Sequence, residues 1–330
     1  MFVGVIGSGS WGTALAQVLV DNNVETLIWG RDIEEVNKIN VNHEIKYFPN
    51  TKISEKLKAT NNFADLADAD VLLVATPTIA LNSVIEMINE YAKKEMIIIN
   101  VSKGLFPETG ERLSVAIERL IKPSLLKSVV SLVGPTHAEE VIQRMETVVT
   151  SVSNDQASAE LVQELFANEY FRVYTSDDVI GAEIGAAVKN VIAIAGGILV
   201  GVGLGDNAKA ALISRGLAEI ARLGVAMGAR LETFMGLTGV GDLIVTATSV
   251  HSRNYQAGLQ IGKYGSDYFW ENNKTTVEGA RAVVEVLKLA KEFNVSMPLS
   301  SAVYNVLYEK ADVHSMITEL MTRDLKSEHK

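Results

Sequence analysis

Lys189 and Asn190 stand side by side in Gly181-Ala-Glu-Ile-Gly-Ala-Ala-Val-Lys-Asn-Val-Ile-Ala-Ile-Ala195, a stretch that is apolar or small on almost every helical face. Such a pattern predicts a buried helix. An ammonium withdrawn from water costs several kcal/mol unless it is paired, and it gives up its proton more readily. A lysine brought toward ~7–8 is suited to acid–base work near neutral pH. The alternative is that Lys189 snorkels to the surface or pairs structurally with Glu183 or a later acid. Asp242, expected in a tight loop at the end of Gly236-Leu-Thr-Gly-Val-Gly-Asp, is the candidate counterion. In Ser252-Arg253-Asn254 the guanidinium offers a planar fork to phosphate oxygens beside a hydroxyl. Taken alone, that tripeptide reads as a solvated loop.

The elements that must position these groups begin with Phe2–Ile6, a β-rich run stopping at Gly7-Ser-Gly-Ser-Trp-Gly12, followed by helix formers from Thr13. This places Gly-x-Gly-x-x-Gly between a strand and a helix, the context of dinucleotide binding. Gly7 makes the tight turn, Gly9 admits the pyrophosphate and Gly12 lets the helix pack close, with the helix N-terminus facing the phosphates. The next strand, Glu25–Gly30, leaves the usual ribose-binding acid position to glycine and is followed by Arg31. The expected cofactor is therefore NADPH, with NADH as the alternative. Asp32 counts against the 2′-phosphate by pairing with Arg31 or repelling the phosphate, and both residues could simply cap the next helix.

Asp70–Thr76, Ile97 onward and Val129–Gly134 are continuous apolar runs of the kind buried on both faces of a parallel sheet. Lys103 follows the second of them, where doubly wound sheets bind ligands; without that context it is a surface lysine. Thr147–Val152 and Phe171–Thr175 are two further strands, and Pro135–Glu140 starts a helix. Beyond Tyr174 the β-branched alternation gives way to Ala, Gly, Leu and Ile, with no proline between Pro135 and Pro298. The fold expected is α/β, a Rossmann-type doubly wound sheet over residues 1–180 followed by an all-helical substrate and catalytic domain over 181–330. A helix N-capped by Asp206 should carry Glu219 and Arg222 on its wet face.

A net charge of −10 over 330 residues argues against nucleic-acid or anionic-membrane partners. The absence of cysteine excludes disulfides, thiolate nucleophiles and zinc–thiolate sites. His43, His137, His251, His314 and His329 are scattered, His137 reads as a loop histidine, and no metal site is expected. The run Val191–Gly205 is short for a membrane span and carries five glycines, so the protein is expected to be cytoplasmic.

In order, Gly7–Gly12, Val-Ser-Lys-Gly at 101–104, Gly-Pro-Thr-His-Ala-Glu-Glu at 134–140, Ala-Val-Lys-Asn-Val at 187–191, Gly-Val-Gly-Asp-Leu at 239–243, Ser-Arg-Asn at 252–254 and Val-Glu-Gly at 277–279 span nearly the whole chain. The set resembles bacterial NAD(P)-dependent glycerol-3-phosphate dehydrogenase. The resemblance implies that Lys189 is the acid–base residue in reduction of dihydroxyacetone phosphate. Lys103, Asn190, Asp242 and Thr246 would hold or polarise the substrate, and Gly134 and Thr136 would line its pocket. Ser252, Arg253 and Asn254 would bind its phosphate, with Arg253 also reaching the cofactor. Ser10, Trp11, Arg31, Lys103, Ala138 and Glu278 would contact NADPH. The chain departs from the family in Ala247 where Cys is common, His137 where Phe is common, and Asp32 where a second basic residue is common. The resemblance suggests a role in phospholipid synthesis; the sequence itself does not fix the oligomeric state and leaves room for a homodimer. Competing readings are a 6-phosphogluconate or β-hydroxyacid dehydrogenase and a non-catalytic NADPH-binding sensor.

Overall fold

Apolar runs alternate with amphipathic ones up to residue 176, and in the computed structural model, which describes every residue except 50, 108, 326, 329 and 330, they form strands and helices in turn. The order is β1 (Phe2–Ile6), α1 (Ser10–Asp21), β2 (Glu25–Trp29), α2 (Ile33–Asn37), β3 (Lys58–Thr60), β4 (Val71–Val74), α3 (Leu81–Tyr91) and β5 (Met96–Asn100). There follow α4 (Leu113–Leu120), β6 (Leu126–Val133), α5 (Ala138–Val141), β7 (Thr147–Val152), α6 (Gln156–Phe166) and β8 (Phe171–Ser176). The strands make one sheet in the order β3-β2-β1-β4-β5-β6-β7-β8. Every neighbouring pair is parallel except β6 and β7. β4 and β5 are buried along their whole length because apolar side chains cover both faces of the sheet, Leu15 and Leu19 on one and Ile88 and Ile117 on the other. β3 has only three residues, too few to carry a pattern, and it is absent from the strands read in the sequence.

The parallel register brings the carboxyl ends of β1, β4, β5 and β6 to one edge. Gly7–Gly9, Thr76–Thr78, Lys103 and Gly134–Thr136 follow those ends directly. Gly7 has φ +117°, a conformation open to glycine and strained for side-chain-bearing residues.

The helical part comprises α7 (Val179–Gly201), α8 (Asp206–Ala226), α9 (Leu231–Phe234), α10 (Asp242–Thr248) and α11 (Arg253–Tyr264), then α12 (Ser266–Asn272), α13 (Glu278–Glu292), α14 (Pro298–Tyr308) and α15 (Val313–Met321). α7 is its axis, packed by α8, α10, α11 and α13. Among the described residues α7 alone is long and apolar enough to cross a membrane, and 83% of its apolar window is buried inside the fold. Glycines allow α11 to cross α7 at backbone contact, since a Cβ on Gly258 would overlap the carbonyl of Ile194.

Three local expectations are corrected here. Asp206 is the first residue of α8 and pairs with Lys209 at 2.9 Å, while Gly205 occupies the N-cap without a side-chain bond. Glu219 is buried rather than wet, because its carboxylate accepts the free N–H groups of Leu299 (2.6 Å) and Ser300 (3.2 Å) at the start of α14. Burial pushes its carboxyl above the ordinary glutamate range, while those donors pull it back. Arg222 is exposed and donates to the carbonyl of Ser296. Asp242 opens α10 after a π-helical turn over Leu237–Gly241 instead of sitting in a loop.

Candidate active site

Asp242 is fully buried, and two lysines converge on its carboxylate. Lys189, 3% exposed, donates from α7 to Oδ1 and, at 2.9 Å, to the hydroxyl of Thr246 one turn along α10. Thr246 passes its own proton to the Asp242 carbonyl at 2.6 Å. Lys103, arriving from the β5 edge, reaches Oδ2 at 3.2 Å, the Gly134 carbonyl at 3.1 Å and the Thr136 hydroxyl at 3.4 Å. Lys103, Gly134, Thr136, Lys189, Asp242 and Thr246 thus form one cluster from both halves of the chain. The Lys189 pKa is lowered from 10.5 to about 7, chiefly by burial and with help from the Lys103 charge, while Asp242 opposes the shift. Desolvation prevails because the ammonium is enclosed and its one carboxylate is shared with a second cation. Glu183, the rival partner for Lys189, is engaged elsewhere. It accepts from Ser114 N (3.0 Å), Ser114 Oγ (2.7 Å), Arg112 Nη1 (3.0 Å) and Ser131 Oγ (3.2 Å). Its burial raises its carboxyl pKa in spite of those donors.

Asn190 donates its amide to the carbonyls of Lys103 (3.4 Å) and Ala186 (3.3 Å). Its Oδ1 accepts from Asn254, whose own Oδ1 accepts the Gly279 N–H at 2.9 Å. The tripeptide 252–254 is therefore no simple solvated loop. Ser252 caps α11 by accepting from Tyr255 N, Arg253 is exposed on the first turn, and Asn254 is buried toward α7. An exposed guanidinium at a helix N-terminus is a favourable setting for phosphate.

The turn Gly7–Gly12 lies against β4. A Cβ on Gly12 would overlap the Gly7 carbonyl, whereas a Cβ on Gly9 would meet nothing within 4 Å. Ser10 and Trp11 start α1, whose N-cap has no side-chain bond, so the first-turn N–H groups face outward. Among the described residues, the buried Trp11 Nε1 and Thr76 Oγ1 at this edge have no hydrogen-bond partner. Orphaned polar atoms around an open glycine turn fit a dinucleotide. Arg31 is exposed, and Asp32 does not pair with it. Asp32 accepts the Glu34 N–H to cap α2 and lies 4.0 Å from Lys46. Ala138 begins α5 behind the site, and Glu278 begins α13, accepting from the Thr78 hydroxyl at 2.8 Å.

Three relationships escaped the sequence reading. Thr78 bonds Glu278 across two hundred residues of chain. Lys46 stands beside Asp32 in a segment without a motif. His137 and His251 are not scattered, because their rings lie 5.6 Å apart, with His137 Nε2 3.2 Å from the Val245 carbonyl. Burial lowers the His137 pKa. His329 lies outside the described residues. No group of three or more potential metal ligands comes together among the described residues.

A glycine-turned parallel sheet whose binding edge is completed by a buried lysine–aspartate centre is the build of a nicotinamide-dependent dehydrogenase. Comparison with known proteins narrows the class. Residues 2–159 match the family described as NAD-dependent glycerol-3-phosphate dehydrogenase N-terminus, and residues 178–318 match its C-terminus. The chain belongs to the NAD-dependent glycerol-3-phosphate dehydrogenase family. The glycerol-3-phosphate dehydrogenase [NAD(P)+] of Enterococcus faecalis is 48% identical over 330 residues, covering 99% of this chain and 97% of that one. The enzyme of the same name from Bacillus subtilis is 47% identical over 324 residues, covering 97% and 94%. The crystal structure of glycerol-3-phosphate dehydrogenase from Coxiella burnetii superposes with a TM-score of 0.91 at 32% identity, covering 98% of this chain and 99% of that one.

Proposed function

We propose that this chain reversibly reduces dihydroxyacetone phosphate to sn-glycerol 3-phosphate with NAD(P)H, supplying glycerophospholipid synthesis. The observation that carries the reading is the enclosed Lys189 ammonium, shared between Asp242 and Thr246, with a second cation on the other carboxylate oxygen. Family membership supports the activity.

The sheet (residues 1–180) is the dinucleotide-binding domain, and residues 181–330 supply catalysis and most substrate contacts. Gly7, Gly9, Ser10, Trp11 and Gly12 hold the pyrophosphate, joined at the cofactor by Arg31, Lys103, Ala138, Arg253 and Glu278. Bound NAD(P)H supplies the hydride. Lys189 gives its proton to the substrate oxygen during reduction and takes it back in the reverse direction. Asp242 keeps the amine aimed, and the Thr246 hydroxyl, itself donating to the Asp242 carbonyl, accepts from the amine as well. Lys103 donates toward the same oxygen, stabilising charge as it develops, and Asn190 holds the Lys103 backbone in place for it. Gly134 and Thr136 line the pocket, while Ser252, Arg253 and Asn254 at the start of α11 hold the phosphate. A cytoplasmic location and a homodimer belong to the same proposal.

The test is a substrate panel read by NADPH absorbance. Rapid oxidation by dihydroxyacetone phosphate is expected. Turnover only with 6-phosphogluconate or a β-hydroxyacid, or tight NADPH binding with no turnover at all, would overturn it.

A further inference from the structure

A well-formed cavity stands away from the lysine–aspartate centre. It lies on the far flank of the helical part, with a volume of about 470 Å³, between α7, α8, α14 and α15. That volume falls in the ~300–1,000 Å³ range typical of small-molecule sites. Its walls are apolar, with Ile198 from α7, Leu212 from α8, and Ala302 and Val306 from α14. α15 roofs it. Val313, Met316, Ile317 and Leu320 recur at helical spacing and face the cavity, yet no residue of α15 is buried. A helix that places an apolar stripe over an apolar floor would ordinarily bury that stripe against it. Here Val313 and Met316 rest partly on that floor, and the stripe as a whole stays only half-buried over the chamber.

The rim has the opposite character. Arg215, Arg222 and Arg323 all line the opening. Among the described residues no carboxylate lies within ion-pair distance of any of the three. In a chain of net charge −10, three arginines at one opening are a local concentration of positive charge. The one carboxylate in the lining, Glu219, has its oxygens taken by the Leu299 and Ser300 donors and feels the Arg222 charge, which leaves Arg215 and Arg323 without a carboxylate in the lining at ion-pair distance. An apolar chamber with a cationic mouth is complementary to a molecule with one apolar chain and one anionic head.

We propose that this groove binds a long-chain fatty acid, with the acyl chain under α15 and the carboxylate on Arg215, Arg222 and Arg323. The floor includes Ala195 and Ile198, so the site shares α7 with Lys189 while lying apart from the residues of the reaction. The site is independent of the reaction assigned above.

The probe is dodecanoate, titrated calorimetrically into the full-length protein below its micelle concentration, with octanoate and dodecanol as controls. Saturable binding at one site per chain is expected for dodecanoate. Octanoate should bind at least about tenfold more weakly, having four fewer methylenes to bury, and dodecanol should also be weaker for want of the charge. Ala302→Trp, which fills the chamber, should abolish binding. Arg215→Glu should weaken it at least about tenfold, the scale of a lost charge-assisted contact. Both variants should retain turnover and the parental unfolding temperature, which separates lost binding from misfolding. Absence of saturable dodecanoate binding overturns the proposal, as does undiminished binding by folded Ala302→Trp. Sedimentation showing a dimer that Ala302→Trp converts to monomers would also overturn it, by giving the groove to a second copy.

Discussion

Asn254 donates its side-chain amide to Oδ1 of Asn190 at 2.9 Å, tying the first turn of α11 to the residue beside Lys189. The bond fixes the Asn190 amide orientation, since an Oδ1 that accepts from Asn254 leaves Nδ2 for the Lys103 and Ala186 carbonyls. The proposed phosphate and proton-transfer groups are thereby one mechanical unit. Asn254→Ala leaves Asn190 Oδ1 and the Gly279 N–H without partners. Lost buried hydrogen bonds of this kind cost about 1–3 kcal/mol. We expect kcat to fall about tenfold or more while the KM for NADPH stays within about threefold. Steady-state kinetics with each substrate varied in turn checks this; an unchanged kcat would show that Asn190 is held by other means.

The depressed Lys189 pKa makes the two directions of reaction respond oppositely to pH. Reduction needs the ammonium, so its kcat should decline as pH rises through about 7; oxidation needs the free amine and should rise through the same region. Lys103 is one of the charges that holds the Lys189 pKa down. Lys103→Met should therefore move both limbs to higher pH, beside any loss in absolute rate. Profiles of kcat in both directions, for parent and variant, read the sign. Limbs moving to lower pH would contradict the arrangement.

Asp32 is occupied by the Glu34 N–H and faces Lys46, which leaves the Arg31 guanidinium available to a 2′-phosphate. Arg31→Ala should raise the KM for NADPH about 10–100-fold, as expected for a charge-assisted bond of about 1.5–3 kcal/mol. The KM for NADH should change by no more than a few-fold. Equal losses for both cofactors would remove Arg31 from recognition of the phosphate.

Glu183 is the buried acceptor for donors from α4 and β6, and it anchors α7 to the sheet. Its removal strands the Arg112 guanidinium and the Ser114 and Ser131 donors in a low-dielectric environment. Glu183→Ala should destabilise the protein by about 3 kcal/mol or more, read as a lower urea midpoint. A loss below about 1 kcal/mol would mean that water replaces the carboxylate.

Much of the site could be read from the chain because its parts are local motifs. Gly7–Gly12 carries its own turn geometry, and Lys189 stands out because nothing else in α7 near it is basic. What was missed depends on tertiary contact. Glu219 has the spacing of a wet-face residue and is buried because α14 starts on top of it. His137 and His251 meet through the packing of α10 against the loop before α5, which no spacing in either segment encodes. Asp242 was legible as the counterion yet not as a helix start, since its glycine-rich approach reads as a loop and winds into a π-turn. The antiparallel turn of β7 is likewise invisible in its composition, which is that of any buried strand.

The assignment of the chemical step to Lys189 is tested most directly by one pair of numbers on Lys189→Ala: kcat with dihydroxyacetone phosphate, and the Kd for NADPH measured by its fluorescence. Loss of a proton-transfer group predicts a fall in kcat of about 10²–10⁴-fold, with the Kd within about threefold of the parent. A variant that binds NADPH normally and still turns over at a rate close to the parent's would contradict it.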